Sequence, residues 1–155
     1  MKILITGAAG QIGSGLSKLL LKNGHNLTLC DNLRNGYLKN IQNTDGNLIS
    51  PFYNVDICTE EFFEKCGGEY DVIIHLAAIT SLPDCETNPL QTLNINVLGT
   101  ANVLEFARRF NVPHVIFAGT SAIYEKNETD VFTEDLEVMP RLYYSLSKKM
   151  SEEIV

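Results

Sequence analysis

Short apolar runs alternate along the chain with longer stretches whose apolar residues recur every three or four positions. The runs predict buried strands at Lys2–Thr6, Asn26–Asp31, Asn47–Asn54, Asp71–Leu76 and His114–Ala118. After the first strand comes an amphipathic helix that ends near Asn23-Gly24, a good C-terminal stop. Its core-facing side is predicted to carry Ile12, Leu16, Leu19 and Leu20.

Further helices are predicted at Glu60–Lys65, within Asn88–Phe110, and from around Arg141–Tyr144 onward. The helix within Asn88–Phe110 is the longest, and its inner face should carry Leu93, Val97, Ala101, Leu104 and Ala107. A polar, acidic loop runs from Gly119 through Asp135. Strands and helices that alternate in this way predict a parallel, doubly wound α/β sheet with right-handed crossovers.

The composition is that of one globular domain, with 155 residues, 45% hydrophobic and 20% charged. The net charge of −7 and the scattered Lys and Arg residues argue against a nucleic-acid partner. No apolar run approaches membrane-spanning length and no signal peptide is evident, so we expect a cytoplasmic protein without a membrane partner. The cysteines lack metal-ligand spacing and are expected to be free thiols, with no metal site: Cys30, Cys58, Cys66 and Cys85.

A glycine-rich turn follows the first strand directly and leads into the first helix. Gly7, Gly10 and Gly13 have the spacing G-x-x-G-x-x-G. Such a turn lets backbone N–H groups approach a pyrophosphate at the helix N-terminus, where the helix dipole favours negative charge. A glycine triplet alone is weak evidence, but its strand–turn–helix context predicts a dinucleotide site.

Two aspartates at later strand ends extend this prediction. Asp31 can accept hydrogen bonds from the adenosine 2′- and 3′-hydroxyls and would repel a 2′-phosphate, so NAD is favoured over NADP. Arg34 lies close enough to leave NADP open. Asp56 could accept a hydrogen bond from the adenine amino group while Ile57 packs on the ring, although a plain turn aspartate is an equal alternative.

The last predicted helix carries Tyr144 and Lys148, four residues apart and therefore on one face. Free tyrosine is a poor base at neutral pH, since its phenol titrates near pH ~10. A neighbouring ammonium and a positive nicotinamide ring would favour the phenolate. The pair therefore predicts a proton acceptor beside the dinucleotide, although Y-x-x-x-K also occurs by chance in many helices.

The motifs run in order over nearly the whole chain. They are Gly7/Gly10/Gly13, Asp31-Asn32, His75-Leu76-Ala77-Ala78, Asn96-Val97-x-Gly99-Thr100, Gly119 to Tyr124, and Tyr144-x-x-Ser147-Lys148. Together they resemble an extended short-chain dehydrogenase/reductase, most of all a nucleotide-sugar epimerase of the UDP-glucose 4-epimerase type. The resemblance implies a Rossmann-type sheet that, in this chain, stops after the Tyr-x-x-x-Lys helix.

By position, the resemblance makes Tyr144 the catalytic base and acid, Lys148 its electrostatic partner and nicotinamide-ribose ligand, and Thr120 the hydroxyl that holds the reacting sugar. Tyr144 and Lys148 also contact NAD, and the other implied NAD-binding residues are Gly7, Gly10, Gln11, Ile12, Gly13, Asp31, Asn32, Leu33, Asn35, Gly36, Asp56, Ile57, Leu76, Ala77, Ala78, Thr80 and Asn96. Tyr124 is given no catalytic step. His75 is expected to be a packed histidine or one whose ring is satisfied by the backbone.

The residues after Thr120 limit the reaction type. In this family, 4,6-dehydratases carry Asp and Glu there, and decarboxylases carry a Glu two positions after the Thr, whereas this chain has Ser121-Ala122. The resemblance therefore implies hydride removal and return without elimination. The implied reaction is that of an NAD-dependent epimerase acting on a UDP-, GDP-, CDP- or dTDP-sugar, and a nucleotide-sugar reductase or dehydrogenase is the alternative.

Family members continue beyond the Tyr-Lys helix into a half that supplies the nucleotide-sugar pocket. Residues 1–155 are thus expected to form the NAD-binding domain alone, with the fifth strand at an unprotected sheet edge and with little activity in isolation. The chain would then be a fragment of a longer enzyme, a natural non-catalytic NAD-binding module, or a partner that completes its site with a second chain. The resemblance also implies a possible homodimer through the long helix and the Tyr-Lys helix.

Overall fold

A computed structural model describes residues 1–129 and 131–155; Asp130, inside the predicted acidic loop, lies outside the described residues. The chain divides into two units. The first comprises Met1–Ala77 and Asn102–Phe117, and the second comprises Ala78–Ala101 and Ala118–Val155. Within the described residues, no helix is both long and apolar enough to cross a membrane.

The first unit contains a five-stranded parallel sheet in the order β3-β2-β1-β4-β5. Its strands are β1 (Lys2–Thr6), β2 (Asn26–Asp31), β3 (Phe52–Asn54), β4 (Val72–His75) and β5 (His114–Phe117). The predicted doubly wound topology is confirmed, and β5 lies at the sheet edge as expected. The strand order reverses between β1 and β4, and ligands of such sheets bind at the carboxyl ends beside this switch point.

Helices cover both faces of the sheet, because alternate residues of each strand point to opposite sides. On one face, Leu4 packs in a core with residues of α2 (Glu60–Cys66) and α5 (Gly99–Arg109). On the other, Ile3 and Ile5 share a core with leucines of α1 (Gln11–Lys22). A 3₁₀ turn at Leu38–Ile41 adds the buried Ile41 to this second core.

The predicted inner face of α1 is only half correct. Leu16 and Leu20 pack against the core, but Ile12 is 70% exposed and Leu19 is exposed too. The buried positions of this helix include the small residues Gly13, Ser14 and Ser17. Small side chains let the helix approach the sheet closely, and hydrophobicity alone cannot indicate them.

The third strand is shorter than the predicted Asn47–Asn54. Gln42 and Leu48 instead form an isolated antiparallel bridge around a tight turn. The Asn43 side-chain oxygen stabilises that turn by accepting hydrogen bonds from the N–H groups of Asp45 and Asn47, each at 3.0 Å. This local Asx-type turn takes residues 47–49 out of the parallel sheet.

The second unit is helical. It contains α3 (Leu82–Thr87), α4 (Pro89–Leu93), a π-helical segment (Asn94–Leu98), the start of α5, a 3₁₀ turn (Ser121–Tyr124) and α6 (Tyr143–Ile154). Helix α3 was not predicted. Its signal is Ser81, which caps the helix by accepting from the N–H of Asp84 at 3.4 Å, followed by a proline in the first turn.

The long predicted helix is continuous but rotated from the expected face. Leu93, Val97, Ala101 and Leu104 are only half-buried, whereas Ala107 is buried as expected. Thr92, Asn96 and Thr100, each one position earlier, are buried instead. Burial of these polar groups is possible because each is hydrogen-bonded; the Thr100 hydroxyl, for example, donates to the Asn96 carbonyl at 2.6 Å.

Candidate functional site

The glycine turn in the first unit has the geometry expected of a phosphate-binding turn. Gly7 has a φ of +70°, and a Cβ atom there would lie 2.7 Å from the Ala77 nitrogen. A Cβ on Gly13 would lie 2.3 Å from the Gly7 carbonyl oxygen. Neither position can therefore accept a side chain without backbone movement, so the glycines serve a close turn of the backbone.

The N-terminus of α1 fits the predicted pyrophosphate. Gly10 is the N-cap residue; it provides no side-chain cap, and the first turn holds no acidic residue. The N–H groups of this turn and the positive end of the helix dipole are thus available to an anion. Gln11 and Ile12 are exposed there, so their backbone can be approached from solvent.

Asp31, at the end of β2, is held by the turn itself. Its carboxylate accepts hydrogen bonds from the N–H of Ala9 at 3.0 Å and of Leu33 at 2.8 Å. Leu33 has a φ of 58°, and a Cβ on Gly36 would lie 3.0 Å from an Asp31 oxygen. Hydrogen bonds and close packing therefore join the carboxylate to the following loop and to the glycine turn. Asn35 is an exposed residue of that loop.

Asp56 lies beside this loop, with its carboxylate accepting from the Asn32 side-chain amide at 3.0 Å and from the Cys58 N–H at 2.8 Å. The bond from Cys58 stabilises the turn at Asp56, and the bond from Asn32 connects this turn to the loop that follows β2. Ile57 is 5% exposed and belongs to the core, which leaves little of its side chain to pack on an adenine ring.

The end of β4 meets the glycine turn through Thr6. The Thr6 hydroxyl is 2.7 Å from His75 Nδ1 and accepts from the Ala77 N–H at 3.3 Å. The Leu76 N–H donates to the Thr6 carbonyl at 3.1 Å. His75 is buried and packs beside Phe117, which confirms the prediction of a packed core histidine.

In the second unit, Asn96 is 1% exposed and its side chain is fully used. Its oxygen accepts from the Ile79 N–H at 2.8 Å, and its amide donates to the Ile79 carbonyl at 3.0 Å and to the Ser147 hydroxyl at 2.9 Å. Asn96 therefore holds the backbone between Ala78 and Thr80, which are half-buried and exposed respectively. It lies in the π-helical segment, a feature often found at functional sites.

Tyr144 and Lys148 lie one turn apart on α6, and both side chains are at least partly buried. Lys148 is 6% exposed. Burial lowers the pKa of its ammonium to about 8, although the charge of Glu152 acts in the opposite direction. The Ser147 hydroxyl donates to the Tyr144 carbonyl at 2.7 Å and so links the turn that carries Tyr144 to Asn96.

Thr120 begins the 3₁₀ turn at Ser121–Tyr124, and its hydroxyl accepts from the Ala122 N–H at 3.2 Å. That hydroxyl still has a proton to donate and a lone pair to offer. The next two residues are the exposed Ser121 and the half-buried Ala122, and neither carries a carboxylate.

Several contributing residues were not predicted from the sequence. The Ala9 carbonyl accepts hydrogen bonds from the Tyr37 N–H at 3.2 Å and from the Asn40 side-chain amide at 2.8 Å. Asn40 therefore joins the 3₁₀ turn at Leu38–Ile41 to the glycine turn. Thr6 is the other omission. Both act through contacts between residues far apart in sequence, and neither has a local sequence signal.

A doubly wound sheet with this glycine turn, followed by a Tyr-x-x-x-Lys helix, defines the extended short-chain dehydrogenase/reductase class. The model of the NAD dependent epimerase/dehydratase family matches residues 3–155, and the chain belongs to that family. The predicted cofactor, NAD, agrees with this assignment.

Individual relatives are consistent with it. The chain is 34% identical over 155 residues to a putative UDP-glucose 4-epimerase of Methanocaldococcus jannaschii, covering 99% of this chain and 49% of that protein. It is 33% identical to UDP-glucuronic acid decarboxylase 1 of Danio rerio, covering 97% and 36%. The crystal structure of the UDP-glucose 4-epimerase of Thermus thermophilus in complex with NAD superposes with a TM-score of 0.88 at 32% identity, covering 99% and 49%.

The chain thus spans about half the length, or less, of these relatives. Epimerases and decarboxylases both appear among them, so membership of the family does not by itself define the reaction.

Proposed function

We propose that the chain is the cofactor-binding part of an NAD-dependent nucleotide-sugar epimerase, with a UDP-hexose as substrate. The observation that carries the proposal is the pair Ser121-Ala122 after Thr120, where the family's dehydratases and decarboxylases place acidic residues. A hydroxyl, a tyrosine and a buried lysine can move a proton, but elimination needs a further acid and base. The relatives described as UDP-glucose 4-epimerases support the choice of sugar nucleotide.

The residues of the first unit suit NAD. The uncapped N-terminus of α1 would hold the pyrophosphate, and the Asp31 carboxylate would accept from the adenosine ribose hydroxyls. A carboxylate already fixed by two N–H groups cannot turn away from a 2′-phosphate, which favours NAD over NADP. NAD, when bound, supplies the acceptor and donor of hydride.

The residues of the second unit would handle the proton. Tyr144, as phenolate, takes the proton of the sugar hydroxyl as the hydride leaves the same carbon, and returns it when the hydride is returned to the other face. Thr120 holds that hydroxyl by a hydrogen bond. The ammonium of Lys148 stabilises the phenolate by its charge, an effect strengthened because the lysine is buried.

The proposal is tested by incubating the complete gene product with NAD and UDP-glucose, UDP-galactose or UDP-glucuronic acid. We expect interconversion of the two hexoses without CO₂ release. Release of CO₂ from UDP-glucuronic acid would instead assign a decarboxylase, and net consumption of added NADH would assign a reductase.

Turnover should fall as the pH rises through about 8, because the pKa of Lys148 is lowered to about 8 by burial and the neutral amine no longer stabilises a phenolate. Initial rates between pH 6 and pH 10 would show this descending limb. Replacement of Lys148 by Arg, which keeps its charge, should lower the rate but abolish the limb. A limb that survives in this variant would contradict the assignment.

Unfolding does not explain such a decline. Because folding lowers the lysine pKa from its ordinary value of 10.5, the unfolded chain binds more protons between about pH 8 and pH 10.5. Stability contributed by this group therefore rises over that range while turnover falls. Thermal unfolding measured in the same buffers separates the two effects.

A homodimer is the assembly that we propose. Leu146, Met150 and Ile154 are exposed at four-residue intervals along α6, and Leu90 and Leu98 are exposed on the long helical stretch. An apolar stripe at this spacing lies on one face of a helix, as in helix–helix interfaces. None of the four cysteines forms a disulfide in the described part of the chain, and we propose a reducing, cytoplasmic setting for the protein.

A further inference from the structure

The helix that carries the proposed catalytic tyrosine begins without a cap of its own. Its N-cap residue is Leu142, which offers no side-chain hydrogen bond, and its first turn contains no acidic residue. The first N–H groups of a helix have no partner inside it. Tyr144 is the second residue of α6 and therefore lies in the turn that is most prone to fray.

Two glutamates from other segments satisfy these groups. Glu125 Oε1 accepts hydrogen bonds from the N–H groups of Arg141 and Leu142, the latter at 3.0 Å, and from the Ser145 hydroxyl at 2.7 Å. Glu86 Oε1 accepts from the N–H of Tyr143 at 2.7 Å. Carboxylates make stronger hydrogen bonds than neutral acceptors and suit the positive end of a helix dipole.

Glu125 is placed differently from Glu86. It directly follows the 3₁₀ turn Ser121–Tyr124, whose N-cap residue is Thr120. One carboxylate therefore joins the segment that begins with the Thr120 hydroxyl to the helical turn that carries the Tyr144 phenol. A backbone hydrogen bond from the Met139 N–H to the Ile123 carbonyl, at 2.9 Å, closes the same loop from its far end.

The charge state of Glu125 agrees with this arrangement. Burial by itself would raise the pKa of the carboxyl, but hydrogen bonds from Ser145, Arg141 and Leu142 lower it below its ordinary value. Glu125 is therefore a carboxylate at neutral pH, and it can accept all three hydrogen bonds at once.

We propose that Glu125 is a positioning residue, which sets the separation of the Tyr144 phenol and the Thr120 hydroxyl by holding the first turn of α6 on the Thr120 segment. This inference rests on the proposed function, since both groups must meet one sugar hydroxyl. A misplacement of about 1 Å in such a pair can cost about 10²-fold in rate.

The test compares the complete gene product with its Glu125→Ala, Glu125→Gln and Glu128→Ala variants. Glu128 is an exposed glutamate of the same loop and serves as the matched control. We expect Glu125→Ala to lower kcat by roughly 10- to 100-fold, with KM for UDP-hexose and Kd for NAD changed by less than about twofold. Glu125→Gln should regain most of the rate because its amide oxygen still accepts hydrogen bonds.

A lower kcat with nearly unchanged KM and Kd distinguishes a positioning residue from a purely structural helix cap. Loss of a purely structural cap would lower stability without lowering kcat. A wild-type kcat in Glu125→Ala, or a Glu125→Gln variant no faster than Glu125→Ala, would overturn the proposal. Wild-type protein that binds NAD but converts no UDP-sugar would overturn the proposed function instead.

If the wild-type protein converts no UDP-sugar, amide hydrogen exchange still tests whether Glu125 holds the first turn of α6. Glu125→Ala should then speed exchange by roughly 10-fold or more at residues 141–146 and leave the sheet amides unchanged. Unchanged exchange at residues 141–146 would show that Glu125 does not hold the start of α6.

Discussion

Replacement of Tyr144 by phenylalanine is expected to lower turnover of a UDP-hexose by about 10³-fold, the scale of a lost general base. The phenol oxygen is the group that we propose takes the proton of the sugar hydroxyl, and phenylalanine keeps the ring but not this oxygen. The Kd for NAD should change by less than about twofold, because the residues that we propose for the pyrophosphate and the adenosine belong to the first unit and are unchanged in this variant. Steady-state rates and calorimetric titration with NAD would measure the two effects.

Tyr143 offers a matched control, since it is the preceding residue of the same helix and its ring is exposed. Tyr143→Phe should retain turnover within about twofold. Both variants should unfold within a few degrees of the wild type, which excludes misfolding as the cause of inactivity. If Tyr144→Phe turns over normally, or if Tyr143→Phe is the inactive variant, Tyr144 is not the base.

The strands could be predicted well where burial on both faces produced a continuous apolar run. The ranges of β1 and β2 are the predicted ones, because each strand begins with a charged or polar residue and is followed by a turn or a polar loop. The third strand was predicted too long because residues 47–51 contain apolar side chains too. Whether they join the sheet is decided by the local turn at Asn43, which apolar periodicity does not detect.

The inner face of the first part of the long helix could not be predicted from hydrophobicity, because three of its buried positions are polar. Thr92, Asn96 and Thr100 can be buried since each makes hydrogen bonds inside the helix or to a neighbouring segment. Such partners are known only once the fold is known. The same limit applies to α1, where small residues mark the buried side.

Within the site, residues with fixed local spacing could be predicted and residues joined through space could not. The glycines and the pair Tyr144 and Lys148 follow from strand–turn–helix order and from the helical period. Glu125 accepts hydrogen bonds from residues that lie 16 to 20 positions later in the chain, at the start of α6. Nothing in its immediate sequence distinguishes it from Glu128. Asn96 stays a predicted NAD ligand, and the structure adds that its side chain hydrogen-bonds to the backbone of Ile79, a contact that the sequence does not indicate.

Gly13→Ala is expected to cause the largest loss of cofactor binding in the first unit. Its new Cβ would lie 2.3 Å from the Gly7 carbonyl oxygen and 2.8 Å from the Ala8 Cα, and both are backbone atoms that cannot rotate away. The turn must open, which moves the N–H groups proposed to hold the pyrophosphate. We expect the Kd for NAD to rise by roughly 100-fold, and the free energy of unfolding to fall by about 1–3 kcal/mol.

Gly15→Ala is the control for this change, because the residue lies two positions later on the same helix and a Cβ there meets nothing within 4 Å. Alanine has the higher helix propensity, so this variant should be more stable than the wild type by about 0.5–1 kcal/mol. Its Kd for NAD should be unchanged. If the close contact at Gly13 matters, urea unfolding should give stability changes of opposite sign in the two variants, and calorimetric titration should show weaker NAD binding in Gly13→Ala alone. The two substitutions are chemically identical and differ in the space available to the new Cβ. Equal NAD affinity and equal stability in the two variants would show that the glycine turn tolerates a side chain and is not the phosphate-binding element.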